Sequence, residues 1–229
     1  KVQIGKSSLR FDGTDFVIDF DERFLPWPGQ RWWPERLRGE IRVSPAFLGD
    51  RSFPLDADNR HVWQPVAPHA RVTVSCDALP EGGWSGEGYH DMNWGSRPLE
   101  QDFEAWDWAR GSTADGRTIL LYDSVLRGGV NSRFGLVYSG SGEMTEIDPP
   151  VRRTLRRGFW GVGGGIVCDD AAEPVLRSVY EDTPFYRRSL VQTHIADDRV
   201  VMMHETLDCR RLAMPVVRLM LPFRMPRRG

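Results

Sequence analysis

Apolar and polar residues alternate along this chain in short runs, with glycine or proline recurring between them. A period of two suits strands rather than helices. Phe16, Ile18 and Phe20 share one face of such a run. An Asp12-Gly13 turn joins it to Leu9–Phe11 as a hairpin. Strands are also predicted at Leu37–Ser44 and Ala70–Cys76, and a Gly82-Gly83 turn precedes Trp84–Tyr89. A second set is predicted at Ala105–Arg110, Thr118–Val125, Phe134–Tyr138, Met144–Ile147, Gly158–Val167, Val175–Tyr180, Phe185–Ile195 and Val200–Leu207, with a turn at Asp115-Gly116. The 23 glycines and 16 prolines are scattered, as frequent turns require. Pro26, Pro28 and Pro34 exclude regular structure from 23–36, which reads as a loop anchored by Trp27, Trp32 and Trp33, the lip of a pocket. One helix is predicted, over 210–221, limited by Pro215. The expected fold is all-β, two antiparallel barrels or sandwiches spanning 1–98 and 99–229, with a seam near 95–104.

Composition narrows the function. At 229 residues and 40% hydrophobic, the chain can bury a real core. Its net charge of −2 gives no broad attraction to nucleic acid. Cys76, Cys168 and Cys209 have no metal or redox spacing and read as reduced core thiols. No apolar run reaches the ~20 residues that cross a bilayer. The chain does not begin with methionine and opens directly into a strand pattern, so upstream residues are expected.

Several familiar motifs fail. Gly161-Val162-Gly163-Gly164-Gly165 lacks the strand–turn–helix setting of a dinucleotide loop and reads as a glycine-rich bulge. Gly83-Trp84-Ser85-Gly86-Glu87 has Glu87 where a nucleophile elbow needs glycine. His61, His69, His90, His194 and His204 have no zinc spacing, so no metal is expected.

Residues 88–95 read Gly88-Tyr89-His90-Asp91-Met92-Asn93-Trp94-Gly95. In a strand, Tyr89, Asp91 and Asn93 project to one face and His90, Met92 and Trp94 to the other. His61 and Trp63 share a face in a second cluster. Trp106-Asp107-Trp108 forms a third. Ordinary structure accounts for such residues too: a tyrosine packed across strands, a capping aspartate, an Asn93–Gly95 turn.

The octet resembles the signature region of the carotenoid 1,2-hydratase (hydroxyneurosporene synthase) family. So do Ile4–Gly13, Arg60–Pro65, Trp106–Arg110, Glu181–Tyr186 and Leu221–Arg228, in order from end to end. The resemblance implies a lipocalin-like superfamily fold with the ligand held between two β-domains. It implies a cofactor-free hydro-lyase that adds water to the C1–C2 double bond of an acyclic carotene such as neurosporene or lycopene. Family members usually carry a further region upstream of these motifs.

That chemistry needs an acid kept protonated near neutral pH, tolerance of a tertiary cation, and one water in a dry pocket. The resemblance implies a catalytic set of Asp91, His61, Tyr89 and Trp63. Asp91 is the expected proton donor, since burial among Trp63, Tyr89 and Trp94 disfavours a charged carboxylate. His61 is expected to hold or deprotonate the water, and Tyr89 to orient Asp91 or that water. Aromatic faces stabilise a passing cation by about 0.5–2 kcal/mol each. Trp94, Asn93, Trp106 and Trp108 are the expected substrate-binding residues.

The carotene dissolves only in membrane. Arg210, Arg211, Arg218, Arg224, Arg227 and Arg228 alternate with apolar residues, which suits peripheral contact with membrane lipid, on the cytoplasmic side of a bacterial inner or photosynthetic membrane. A packed terminal segment with a solvated basic end fits the same pattern. Two other functions share the expected fold: a non-catalytic lipid or polyene carrier, and a polyene cyclase or pericyclase.

Overall fold

The computed structural model describes residues 1–24, 32–129, 131–169, 172–196 and 198–221. The strands are β1 (Val2–Ile4), β2 (Ser7–Phe11), β3 (Phe16–Phe24), β4 (Glu35–Pro45), β5 (Phe53–Pro54), β6 (His61–Cys76) and β7 (Gly83–Gly95). After the short helix α1 (Leu99–Asp102) come β8 (Phe103–Ser112), β9 (Thr118–Leu126), β10 (Asn131–Tyr138), β11 (Met144–Ile147), β12 (Arg152–Thr154), β13 (Gly165–Val167), β14 (Val175–Asp182), β15 (Tyr186–Ile195) and β16 (Asp198–Asp208). Helices α2 (Cys209–Leu212) and α3 (Pro215–Met220) follow. The chain is all-β, as its alternation predicts.

The fold divides into two compact units, residues 1–50 with 65–91 and residues 51–64 with 92–229. In the first, β1 through β4 form an antiparallel meander and β4 pairs with the later part of β6. The predicted hairpin is present: Leu9 faces Ile18 and Phe11 faces Phe16. Asp12 closes its turn by accepting from the backbone amides of Thr14 (3.1 Å) and Asp15 (2.8 Å).

The second unit is built on a seven-stranded antiparallel sheet in the order β11-β10-β9-β8-β16-β15-β14. Ala109, Leu121, Val191, Ile195 and Met202 anchor its core on one face. Each of these larger side chains contributes roughly 1.5–3 kcal/mol on burial, Ala109 less. The small β12–β13 sheet packs onto that core through Ile166 and Val167.

Four expectations change. Only Gly165–Val167 of the predicted Gly158–Val167 strand is extended, because a turn closes from the Gly161 amide to the Gly158 carbonyl. The predicted 210–221 helix is two helices, since Pro215 cannot donate to the preceding turn and starts α3 afresh. Strand β6 begins nine residues before Ala70, at His61. Pro65 and Pro68 fall between the part paired to β5 and the part paired to β4, on a strand whose other edge pairs with β7. Trp32 and Trp33 are exposed rather than buried anchors. Pro26, Trp27 and Pro28, and the tail residues Arg224, Arg227 and Arg228, lie outside the described residues. Among the described residues no helix is long and apolar enough to cross a membrane.

Candidate active site

The turn before β6 sets His61. Asp56 accepts from the backbone amides of Asp58 (3.0 Å), Arg60 (3.0 Å) and His61 (2.8 Å), which fixes where the strand starts. His61 and Trp63, two residues apart, then point to one face and are both buried.

His61 is only 2% exposed, and its Nε2 lies 2.8 Å from Oδ2 of Asp102 at the end of α1. Arg97 grips the same carboxylate with two nitrogens, and Nη1 of Arg60 reaches Oδ1 at 3.0 Å. The Arg97 hydrogen bonds hold the Asp102 carboxyl well below the usual carboxylate range, with His61 adding to them against the cost of burial. An ionised carboxylate only accepts, so the Nε2 of His61 carries the hydrogen of this bond, and Nδ1 lies at the other edge of the ring. The Nδ1 edge faces Gly95: a Cβ there would sit 2.6 Å from Nδ1.

Trp63 is the centre of an aromatic cluster in the second unit. Its ring lies 5.3 Å from Tyr122, 5.7 Å from Phe53 and 5.7 Å from Phe134. Tyr122 and Phe134 stack at 5.6 Å. Trp106 approaches Tyr122 at 6.2 Å, and Trp108 is the cross-strand neighbour of Tyr122. The alternation of β8 therefore places Trp106 and Trp108 on the sheet face that carries Tyr122. Such pairs are worth about 0.5–1.5 kcal/mol beyond burial, and their faces favour positive charge.

In the first unit the Tyr89 hydroxyl donates to Oδ2 of Asp91 at 3.1 Å, the i,i+2 pairing of a strand face. Both residues are partly buried. His90 turns away and packs on Phe16 at 4.9 Å, where burial lowers its pKa. Asn93 is exposed, and Trp94 is 46% exposed. The structure thus joins Tyr89 with Asp91, and His61 and Trp63 with the Trp106 cluster.

Sequence reading missed two groups. Asp102 was hidden in the expected seam. The other is a polar cluster on the opposite face of the β8 sheet. Asp107 accepts from Thr206 Oγ1 at 2.6 Å and from Arg152 at 2.5 Å, and His204 Nε2 lies 3.3 Å from it and 2.9 Å from the Gly165 carbonyl. Burial works to raise the Asp107 carboxyl, but His204, Arg152 and Thr206 outweigh it and hold it low. Neighbouring Asp123 goes the other way: burial raises it despite Arg133 and Arg152. The sequence pattern Trp106-Asp107-Trp108 marked the strand but gave no sign of His204. Among the described residues no three His, Cys, Asp or Glu side chains gather closely enough to ligate a metal ion.

A family model described as Carotenoid hydratase CrtC matches residues 1–229. The chain belongs to the carotenoid hydratase family. This carotenoid hydratase family member is 44% identical to the acyclic carotenoid 1,2-hydratase of Thiocapsa roseopersicina, over 100% of this chain and 55% of that protein. It is 35% identical to that of Rubrivivax gelatinosus, over 99% of this chain and 54% of the other. With that of Rhodobacter capsulatus it shares 37%, over 99% of this chain and 78% of the relative. The chain thus spans about half the length of the first two curated relatives, at 55% and 54%. Among solved structures, an AttH-type protein from Nitrosomonas europaea superposes with a TM-score of 0.54 at 13% identity, covering 91% of this chain and 69% of that one. That likeness concerns the fold, a lipocalin-like all-β architecture.

Proposed function

We propose that the protein is an acyclic carotenoid 1,2-hydratase, a hydro-lyase that adds water to the C1–C2 double bond of an acyclic carotene and gives a tertiary alcohol. The observation that carries this reading is the Tyr89–Asp91 pair, 3.1 Å apart, in a chain matched along its whole length by proteins of that name.

Asp91, as the acid, gives its proton to C2 and leaves a tertiary cation at C1. The Tyr89 hydroxyl fixes the orientation of the Asp91 carboxyl by donating to Oδ2. Water adds its oxygen to C1, and its surplus proton restores the acid, so alkene and water are consumed and no redox partner is needed. His61 enters through Nδ1, because its Nε2–H is given to Asp102. Trp63 and Trp106 supply the electron-rich surface a cation requires, and Trp108, Trp94 and Asn93 complete the apolar and polar contacts to substrate. A hydrocarbon substrate has no polar handle, so shape and apolar area select it. Since it is held in a bilayer, peripheral contact with membrane lipid, at the cytoplasmic face of an inner or photosynthetic membrane, belongs to the same reading.

Incubation with lycopene or neurosporene under nitrogen, without added cofactor, tests the class by mass spectrometry. The expected product is heavier by one water. Asp91→Asn is expected to abolish it while circular dichroism stays unchanged. Substantial turnover by that variant sinks the assignment of the acid. An isomer of unchanged mass from the wild type points instead to a cyclase, and retention without conversion to a carrier.

A further inference from the structure

The segment between β12 and β13 holds two aromatic residues out from the second unit. Phe159 is 71% exposed and Trp160 39%. Their rings meet edge to face at 5.7 Å. The segment is braced: Arg211 donates to the carbonyls of Trp160 (2.6 Å) and Pro184 (3.2 Å), and Asp182 accepts from the Phe159 amide at 2.5 Å. Large apolar side chains fixed in an exposed position mark a surface that meets something apolar.

Beside them lies a pocket with about 1300 Å³ of empty space, part of it open solvent. Arg156 and Arg157 line it and are exposed, and Arg187 lines it at 5% exposure. One nitrogen of Arg187 donates to the Arg156 carbonyl, but its Nε is buried with no hydrogen-bond partner. Oδ1 of Asp182, on the same pocket, is likewise buried and unpartnered. A buried polar atom without a partner costs about 1–3 kcal/mol. Three arginines face one carboxylate, so the pocket favours a net anion that also carries a hydrogen donor.

We propose that this pocket seats the headgroup of an anionic phospholipid bearing a hydroxyl, of the phosphoglycerol type, while Phe159 and Trp160 enter the bilayer interface. Phosphate oxygens meet the arginines, the headgroup hydroxyl meets Asp182, and the acyl region meets the two rings and Val179. An acidic peptide satisfies the arginines but leaves the aromatic pair in water. The inference deepens the proposed function, resting on it only for the idea that the substrate lies in a membrane. Its test needs no turnover, so either reading can fail alone.

Flotation of the protein with vesicles of phosphatidylcholine, with and without a one-third admixture of phosphatidylglycerol, reads the binding. Binding is expected to require the anionic lipid. Phe159→Ser with Trp160→Ser is expected to weaken it at least about tenfold. Arg156→Gln with Arg157→Gln is expected to remove about thirtyfold, near 1 kcal/mol per arginine, and most of the lipid preference. All four positions are exposed, so the variants should keep the wild-type melting temperature. Equal binding by wild type and both variants overturns the proposal, as does equal binding to the two kinds of vesicle. Full competition by millimolar glycerol phosphate overturns it in favour of a soluble-anion site, and loss of self-association in the Phe159 and Trp160 variant, without change in flotation, in favour of a dimer contact.

Discussion

Nε2 of His61 and Oδ2 of Asp102 meet at 2.8 Å although 41 residues separate them in the chain. The carboxylate they share with Arg97 and Arg60 ties the start of β6 to the start of β8. That tie fixes both the tautomer and the position of a residue in the proposed catalytic set.

Asp102→Asn leaves Arg97 without its anion, leaves Arg60 with Asp58 alone, and lets the amide either donate or accept toward His61. It is expected to cost about 1–3 kcal/mol, since both arginines remain partly solvated. Hydration should slow more than stability alone explains, with the loss in kcat rather than KM. A variant with full turnover removes His61 orientation from the mechanism.

Stability should fall steeply in acid. Asp102 and Asp107 both titrate lower in the folded state than the ~3.9 of an unfolded chain. Their contribution is therefore complete above the unfolded value and is lost as pH falls toward the folded values. Urea midpoints measured between pH 6 and pH 3 should drop, and drop less in Asp102→Asn. Parallel acid limbs in the two proteins contradict this.

Gly95→Ala places a methyl 2.6 Å from Nδ1 of His61 and 2.9 Å from the Arg60 carbonyl. The imidazole, held at its other end by Asp102, cannot retreat freely. A loss of about 1–3 kcal/mol is expected in thermal denaturation, together with reduced turnover. An unchanged melting temperature shows that the ring can move.

Gly164→Ala probes the opposite face of the sheet. Its methyl falls 2.0 Å from Thr206 Oγ1 and 2.5 Å from Asp107 Oδ1, atoms already bonded to each other. Breaking that buried hydrogen bond is expected to cost about 2–4 kcal/mol. This substitution should lower stability while leaving the kcat of the surviving folded fraction intact.

The three cysteines should be silent toward thiol reagents in the native state and all react after unfolding. Each is buried and free. Burial, with Asp208 and Glu100 nearby, pushes the Cys209 thiol up to about 12, so little thiolate exists at neutral pH. Rapid native labelling at Cys209 contradicts the packing of α2.

Strand positions were legible in the sequence because alternation is local: Phe16 to Phe20 and Thr118 to Val125 declare themselves within a few residues. Irregularity was not. The glycines around Phe159 and Trp160 read as strand because nothing local announces that Arg211, 51 residues on, holds a turn there. The strand predicted from Ala70 begins earlier, at His61, because its early part is set by the docking of β5, which nothing local announces. The octet around Asp91 and the His61–Trp63 cluster were visible as unusual chemistry in short compass. Asp102 was not, because a lone acid in a charged connector looks like any solvated residue until a distant histidine meets it. The same holds for His204, whose partner Asp107 lies on a neighbouring strand.

The cluster of Asp107, His204, Thr206 and Arg152 makes one side of the β8 sheet a poor host for a polyene. A hydrocarbon lodged there would strip these groups of partners and offer none in exchange. If the proposed hydration is right, attempts to retune it toward shorter or longer chains should leave that side untouched and reshape the surface bearing Trp106 and Trp108 instead.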